Sequence, residues 1–262
     1  MIFIKLQKIH NMKKIFFLVA LIAFFSCNEG DDQTIDLTVY NPLLTVVENI
    51  ANGVSIEGFL NAGITVETLL DAGITITELL NENVSNSLEI VSSLGAEALY
   101  GLDYAGGYIF HINGNDGSLI VATDYSQIGN FSWGDIFSLD TNADIGSGDL
   151  NTQLIIDGNL NDNSSGGFEF GSDDYAFKVV SDLDYNGYND WFVPSRDSMS
   201  AIYDNVHSLG LGNFDESIIY WSSTKIGYDP YVMGFNFDSW GGEPFLGSCA
   251  SQNGLLIARK VN

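Results

Sequence analysis

Three ten-residue units recur early in the chain: Gly53-Val54-Ser55-Ile56-Glu57, Gly63-Ile64-Thr65-Val66-Glu67 and Gly73-Ile74-Thr75-Ile76-Thr77. Each closes on an apolar pair, Phe59-Leu60, Leu69-Leu70 and Leu79-Leu80, and weaker copies flank them at Thr45-Val46 with Ile50 and at Asn83-Val84-Ser85. So short a period leaves the backbone few choices. Ser55, Thr65 and Thr75 can each accept a hydrogen bond from the first turn of a helix. Gly63 and Gly73 stand where a left-handed residue would end it. Helices of about two turns do not persist alone in water, so they must stack through their Ile, Val and Leu positions as solenoid units do. The predicted all-α region covers residues 42–100 and acts as a spacer, with a peptide-binding groove as its alternative use.

From Tyr104 the period is gone. Tyr108–Ile112 and Ser118–Ala122, joined by Asn113-Gly114-Asn115-Asp116-Gly117, read as a β-hairpin. Asn151 or Thr152 is a suitable cap for a short helix through Leu154 and Ile155, and residues 157–174 are rich in loop formers. Ala176, Val179, Val180 and Leu183 share one helical face, and Met199, Ile202, Tyr203 and Val206 share another. Apolar runs at 218–221, 231–237 and 255–261 complete an α+β order.

The leader and the charge set the compartment. Lys13 and Lys14 precede an apolar run from Ile15 to Phe25, then Ser26 and Cys27. A basic start, a short apolar stretch and a small residue form a secretory signal over 1–26. The Cys that follows resembles a lipobox, which makes Cys27 the lipidation site and attaches the protein to a membrane by lipid alone. The acidic residues Glu29, Asp31 and Asp32 open a tether over 27–41 of the kind that places lipoproteins on the cell surface of Bacteroidetes-type outer membranes.

Beyond the leader only Lys178, Arg196, Lys225, Arg259 and Lys260 are basic, against 34 acidic residues. Such a field repels nucleic acid, anionic headgroups and sulfated polysaccharide. Neutral sugars, cationic groups and divalent cations remain as ligands. With Cys27 lipidated one Cys is left, so no disulfide framework is expected.

Five segments carry a family likeness: Gly106-Gly107-Tyr108-Ile109-Phe110; Ile145-Gly146-Ser147-Gly148 with Asn151-Thr152; Gly187-Tyr188-Asn189-Asp190-Trp191-Phe192-Val193-Pro194-Ser195; Tyr220-Trp221-Ser222-Ser223-Thr224; and Ala258-Arg259-Lys260-Val261. In that order they resemble the C-terminal domain family of the Legionella collagen-like adhesin, over about residues 104–262. The resemblance implies a C-type-lectin-like fold with long ligand-presenting loops. It also implies adhesion to sulfated glycosaminoglycans, and here the chain departs from the family for want of cations. Ser198 replaces the acidic residue that completes the family's capping box, although Ser195 keeps its oxygen for the helix.

Site candidates follow. Asp182, Asp184, Asn186 and Asp190 fall in a D-x-D-x-N-G-x-x-D run like the start of a calcium loop. Val193 holds the place of the usual bidentate Glu, and calcium is the one cofactor the sequence suggests; none is required. Tyr228, Asp229, Asp238, Trp240 and Glu243 crowd a Gly-rich C-terminal segment, where rings beside carboxylates suit a neutral glycan or a surface protein. His111 and His207 lie in no recognised nucleophile setting. The expectation is therefore a non-catalytic surface lipoprotein for adhesion or carbohydrate binding. The alternative is a structural, protein-interacting module of an outer-membrane assembly.

Overall fold

A computed structural model describes residues 39–124, 129–134, 139–161, 174–227, 229–234, 244–249 and 251–262. The ten-residue units form helices α1 (Val46–Ala51), α2 (Ile56–Asn61), α3 (Val66–Asp71) and α4 (Ile76–Glu82), followed by α5 (Asn86–Leu94). Thr45, Ser55, Thr65 and Thr75 each accept from the backbone N–H three residues on. At Thr45 and Thr75 the N3 glutamate returns the bond, which completes a capping box. Gly63 and Gly73 follow the helix ends at φ of 79° and 97°, where an L side chain would strain the backbone. Ser85 differs from the other units: its hydroxyl donates to Asn83 Oδ1 and does not cap α5.

Two antiparallel sheets follow. The first has the order β1 (Asp103–Tyr104), β2 (Gly107–Ile112), β3 (Leu119–Asp124), β7 (Leu256–Val261); the second runs β4 (Ile219–Ile226), β5 (Asp229–Gly234), β6 (Phe245–Leu246). Three helices accompany them: α6 (Gly148–Asn161), α7 (Ala176–Ser181) and α8 (Arg196–Asn205). The mixture of helices and antiparallel sheet is the α+β class. None of the described helices is long and apolar enough to cross a membrane.

The first sheet is covered on both faces. In β3, Ile120 and Ala122 join Phe110, Leu256, Ala258 and the α8 stripe of Met199, Ile202 and Tyr203, with Val206 just beyond it. Leu119 and Val121 point the other way, with Ile109, into the helical layer of Phe59, Leu69, Leu79, Leu80, Ile90 and Leu99. The spacer expected over 42–100 is thus packed on the sheet and not set apart from it. Ser87 Oγ donates to the Gly117 carbonyl at 2.6 Å, and Tyr104 OH to the Leu80 carbonyl at 3.1 Å. In β2 a bulge leaves Phe110 without a partner in register. Asn205 Nδ2, at the end of α8, donates to its carbonyl at 2.9 Å.

Two local expectations are corrected. Helix α6 begins at Gly148, before Asn151 and Thr152, and takes in residues 157–161 of the expected loop; 162–173 lie outside the described residues. Its first residue is glycine where the backbone passes close to a neighbouring segment: a Cβ on Gly148 would sit 2.6 Å from the Val193 carbonyl oxygen. Ser195 stands at the N-terminus of α8 but makes no capping bond. Its hydroxyl donates to the Asp144 carbonyl at 2.7 Å and lies 2.9 Å from Ser198 Oγ. Ser198, the departure from the family pattern, therefore has a partner in Ser195.

Candidate functional site

The outer edge of β4 is a seam at which four distant segments meet. Alternate N–H groups of a strand point the same way. Here Trp221 N donates to Gly254 O, Ser223 N to Pro194 O and Lys225 N to Thr141 Oγ1, at 3.1, 2.8 and 2.9 Å. Thr141 also gives its hydroxyl to Ser223 O at 2.6 Å and its N–H to Lys225 O at 3.0 Å. Asn151, buried inside α6, accepts from Asn142 N and donates to Asn142 O and Ser223 Oγ at 3.0, 2.6 and 3.1 Å. Thr152 Oγ1 accepts from Val193 N at 3.1 Å. The expected helix caps are buried ties instead. Thr141, Asn151, Thr152 and Ser223 are buried, so their hydroxyls and amides find their polar partners within the protein.

A second knot joins the two ends of the sheet domain. Asn186 and Gly187, at φ of 52° and 80°, form a two-residue turn closed by paired backbone bonds between Tyr185 and Tyr188. Positive φ at both central positions is what a type I′ turn requires, and Asn-Gly is its preferred sequence. Ala105 and Gly106, at 51° and 89°, make the corresponding turn between β1 and β2. Arg259 binds the two turns together. Its Nε and Nη2 reach the Asp190 oxygens at 2.6 and 2.9 Å, Nη1 reaches Ala105 O at 3.1 Å, and its guanidinium lies 3.8 Å from the Tyr188 ring centre. The hydrogen bond from Arg259 holds the Asp190 carboxyl below the ordinary carboxylate range.

In that arrangement each of the four calcium candidates has its own surroundings. Asp182 takes the Lys178 ammonium one helical turn away, Asp184 is exposed, Asn186 Nδ2 donates to Gly106 O at 2.9 Å, and Asp190 is held by Arg259. The four do not converge, because Asn186-Gly187 closes a tight hairpin turn and does not open into a cation loop. Among the described residues no group of three or more His, Cys, Asp or Glu side chains is placed to hold a metal ion.

All five basic residues beyond the leader serve the fold. Besides Lys178 and Arg259, Lys260 pairs with Asp149 at 2.7 Å. Arg196 pairs with Asp197 at 2.8 Å and stands over the Tyr231 ring, 5.2 Å from its centre. Lys225 is fully buried, and its ammonium donates to the Gly227 and Leu139 carbonyls. The Arg196 guanidinium is held above its ordinary range chiefly by the hydrogen bond to Asp197.

Of the five C-terminal ligand candidates, Asp229 is described: it is exposed and opens β5 opposite Ile226, next to Gly227 at φ of 71°. Tyr228, Asp238, Trp240 and Glu243 lie outside the described residues, as does Cys27. Trp221 is core, its indole donating to the Phe131 carbonyl at 2.6 Å. His111 is half-buried and its pKa is lowered by that burial, which keeps the ring neutral near pH 7. His207 packs between the Tyr203 and Phe214 rings and faces Glu216 at 3.5 Å.

No family model matches this chain, and no curated protein matches it. Sequence reading passed over Arg259, Asn151 and Thr141 as organising residues. A signal for the first was present: where cations are this scarce, an arginine in a strand is conspicuous.

Proposed function

We propose that the protein is a non-catalytic recognition module carried on the cell surface by a lipidated Cys27. Its sheet domain takes the C-type-lectin-like role, with neutral glycan as the ligand and Tyr228, Asp229, Asp238, Trp240 and Glu243 as the contact set. One observation carries this reading. The five segments that resemble the adhesin family meet in the β4 seam and the Arg259 knot, and every basic side chain after the leader is already engaged within them or beside them. A recognition scaffold is kept while the cations a sulfated chain needs are held in internal contacts. Aromatic faces and carboxylates suit the apolar ring face and hydroxyls of a neutral sugar.

The test is a glycan array probed with the full chain and with Trp240→Ala. Saturable binding to neutral glycans, absent from sulfated ones and lost in the variant with its melting curve unchanged, is the expected result. A signal only on sulfated glycans would overturn it. A blank array beside a co-purified, stoichiometric protein would favour the alternative, a structural module of an outer-membrane assembly.

A further inference from the structure

The helical layer carries a groove that the recognition reading does not use. It measures about 750 Å³ and runs between the α2–α3 junction and α5. Leu60, Ile64 and Leu88 are only half-buried in its floor, while Glu57, Glu67 and Glu89 stand exposed on its rim. We infer that this groove is a second binding site, which takes an extended segment of a partner protein bearing alternating apolar and lysine or arginine side chains.

Charge complementarity supplies the occupant. Between Ile15 and Phe110 the chain has no Lys, Arg or His, so nothing in the helical layer neutralises the three rim carboxylates. The basic residues further along are engaged elsewhere and cannot fill the groove from within. A second copy of the chain would bring more carboxylates to the same place and be repelled. A neutral or anionic segment gains nothing from the rim. A cationic one gains three partners and can lay its aliphatic stems on the floor. In an extended segment successive side chains face opposite ways, so apolar residues meet the floor while every second residue reaches Glu57, Glu67 or Glu89. Glu67 is held ionised there, its pKa lowered first by a hydrogen bond from Ser93 on α5, then by its own backbone and Thr65.

The experiment is fluorescence anisotropy on the full chain with a labelled, end-blocked Leu-Lys-Leu-Lys-Leu-Lys peptide. We expect saturable binding that Glu57→Gln, Glu67→Gln and Glu89→Gln together weaken by about ten-fold or more. Removing equal charge elsewhere, with Asp71→Asn, Glu82→Gln and Glu97→Gln, should change affinity by less than about two-fold. Ser92→Trp, which fills the groove without touching charge, should also abolish binding. The inference is overturned if the peptide does not bind, or if both triple variants weaken it equally, which marks diffuse attraction. It is overturned as well if a Ser-Lys peptide binds as tightly, since the floor then contributes nothing. Because these variants lie far in sequence from the C-terminal loops, glycan binding reports separately on the recognition reading.

Discussion

Asp190 holds Arg259 with both carboxylate oxygens, at 2.6 and 2.9 Å, across 69 residues of chain. Asp190→Asn leaves the shape and removes the charge. The carboxylate is half exposed, so solvent screens the pair and the expected loss at pH 7 is about 1–2 kcal/mol. The pKa is lowered in the folded state. The contribution is therefore present above the unfolded value of about 3.9 and lost as pH falls through the folded one. Urea melts at pH 7 and at about pH 2 should show the gap between wild type and variant closing in acid. A gap that persists would mean the side chain acts through packing.

Calcium should leave the protein unmoved. A cation at the Asp182–Asp190 run would have to displace Lys178, Arg259 and the Asn186 bond to Gly106. A ligand at 100 times its dissociation constant adds about 2.7 kcal/mol to stability. Melting temperatures in chelator and in millimolar calcium should therefore coincide. A clear rise with calcium would show that the loop rearranges.

Gly117 sits where the β2–β3 turn meets α5. It has φ of 75°, and a Cβ there would stand 2.7 Å from Ser87 Oγ and 2.9 Å from Ser85 Cα. Gly117→Ala should cost about 1–3 kcal/mol. Gly114→Ala, in the same turn with nothing within 4 Å, should stay within about 0.5 kcal/mol. Equal effects in a denaturant titration would mean that the turn does not bear on the helix.

Removing residues 39–100 should not release an intact sheet domain. It uncovers Ile109, Leu119 and Val121, all fully buried, each worth about 1.5–3 kcal/mol in its covered state. The truncated chain should bind a hydrophobic dye and self-associate on gel filtration. A monodisperse product melting like the full chain would show that the helical layer adds little.

What could be read from sequence was what neighbours decide. The caps at Ser55, Thr65 and Thr75 act within one turn, and the β2–β3 hairpin closes over a few residues, so both were visible. The Asn186-Gly187 turn was visible as a turn, and the same residues also read as the start of a cation loop. A D-x-D-x-N-G run is compatible with either, and the choice rests on Arg259 and Gly106, far along the chain. Asn151 was placed at a helix end because asparagine caps helices. Its actual partners, Asn142 and Ser223, are known only once β4 is in place. The double cover of the first sheet did leave a trace: Leu119 to Ala122 are apolar at every position, which marks a strand buried on both faces.

Both sheets finish on strands of two residues, β1 and β6. Their other margins are taken, β4 by Gly254, Pro194 and Thr141, and the middle of β7 by Phe192, which exchanges both backbone bonds with Ala258. The described sheets therefore offer little ladder for an incoming strand to extend. Among the described strands, neighbouring copies would find little exposed ladder to join into shared sheet. At these described edges a partner would be met by side chains and loops more readily than by addition of a strand.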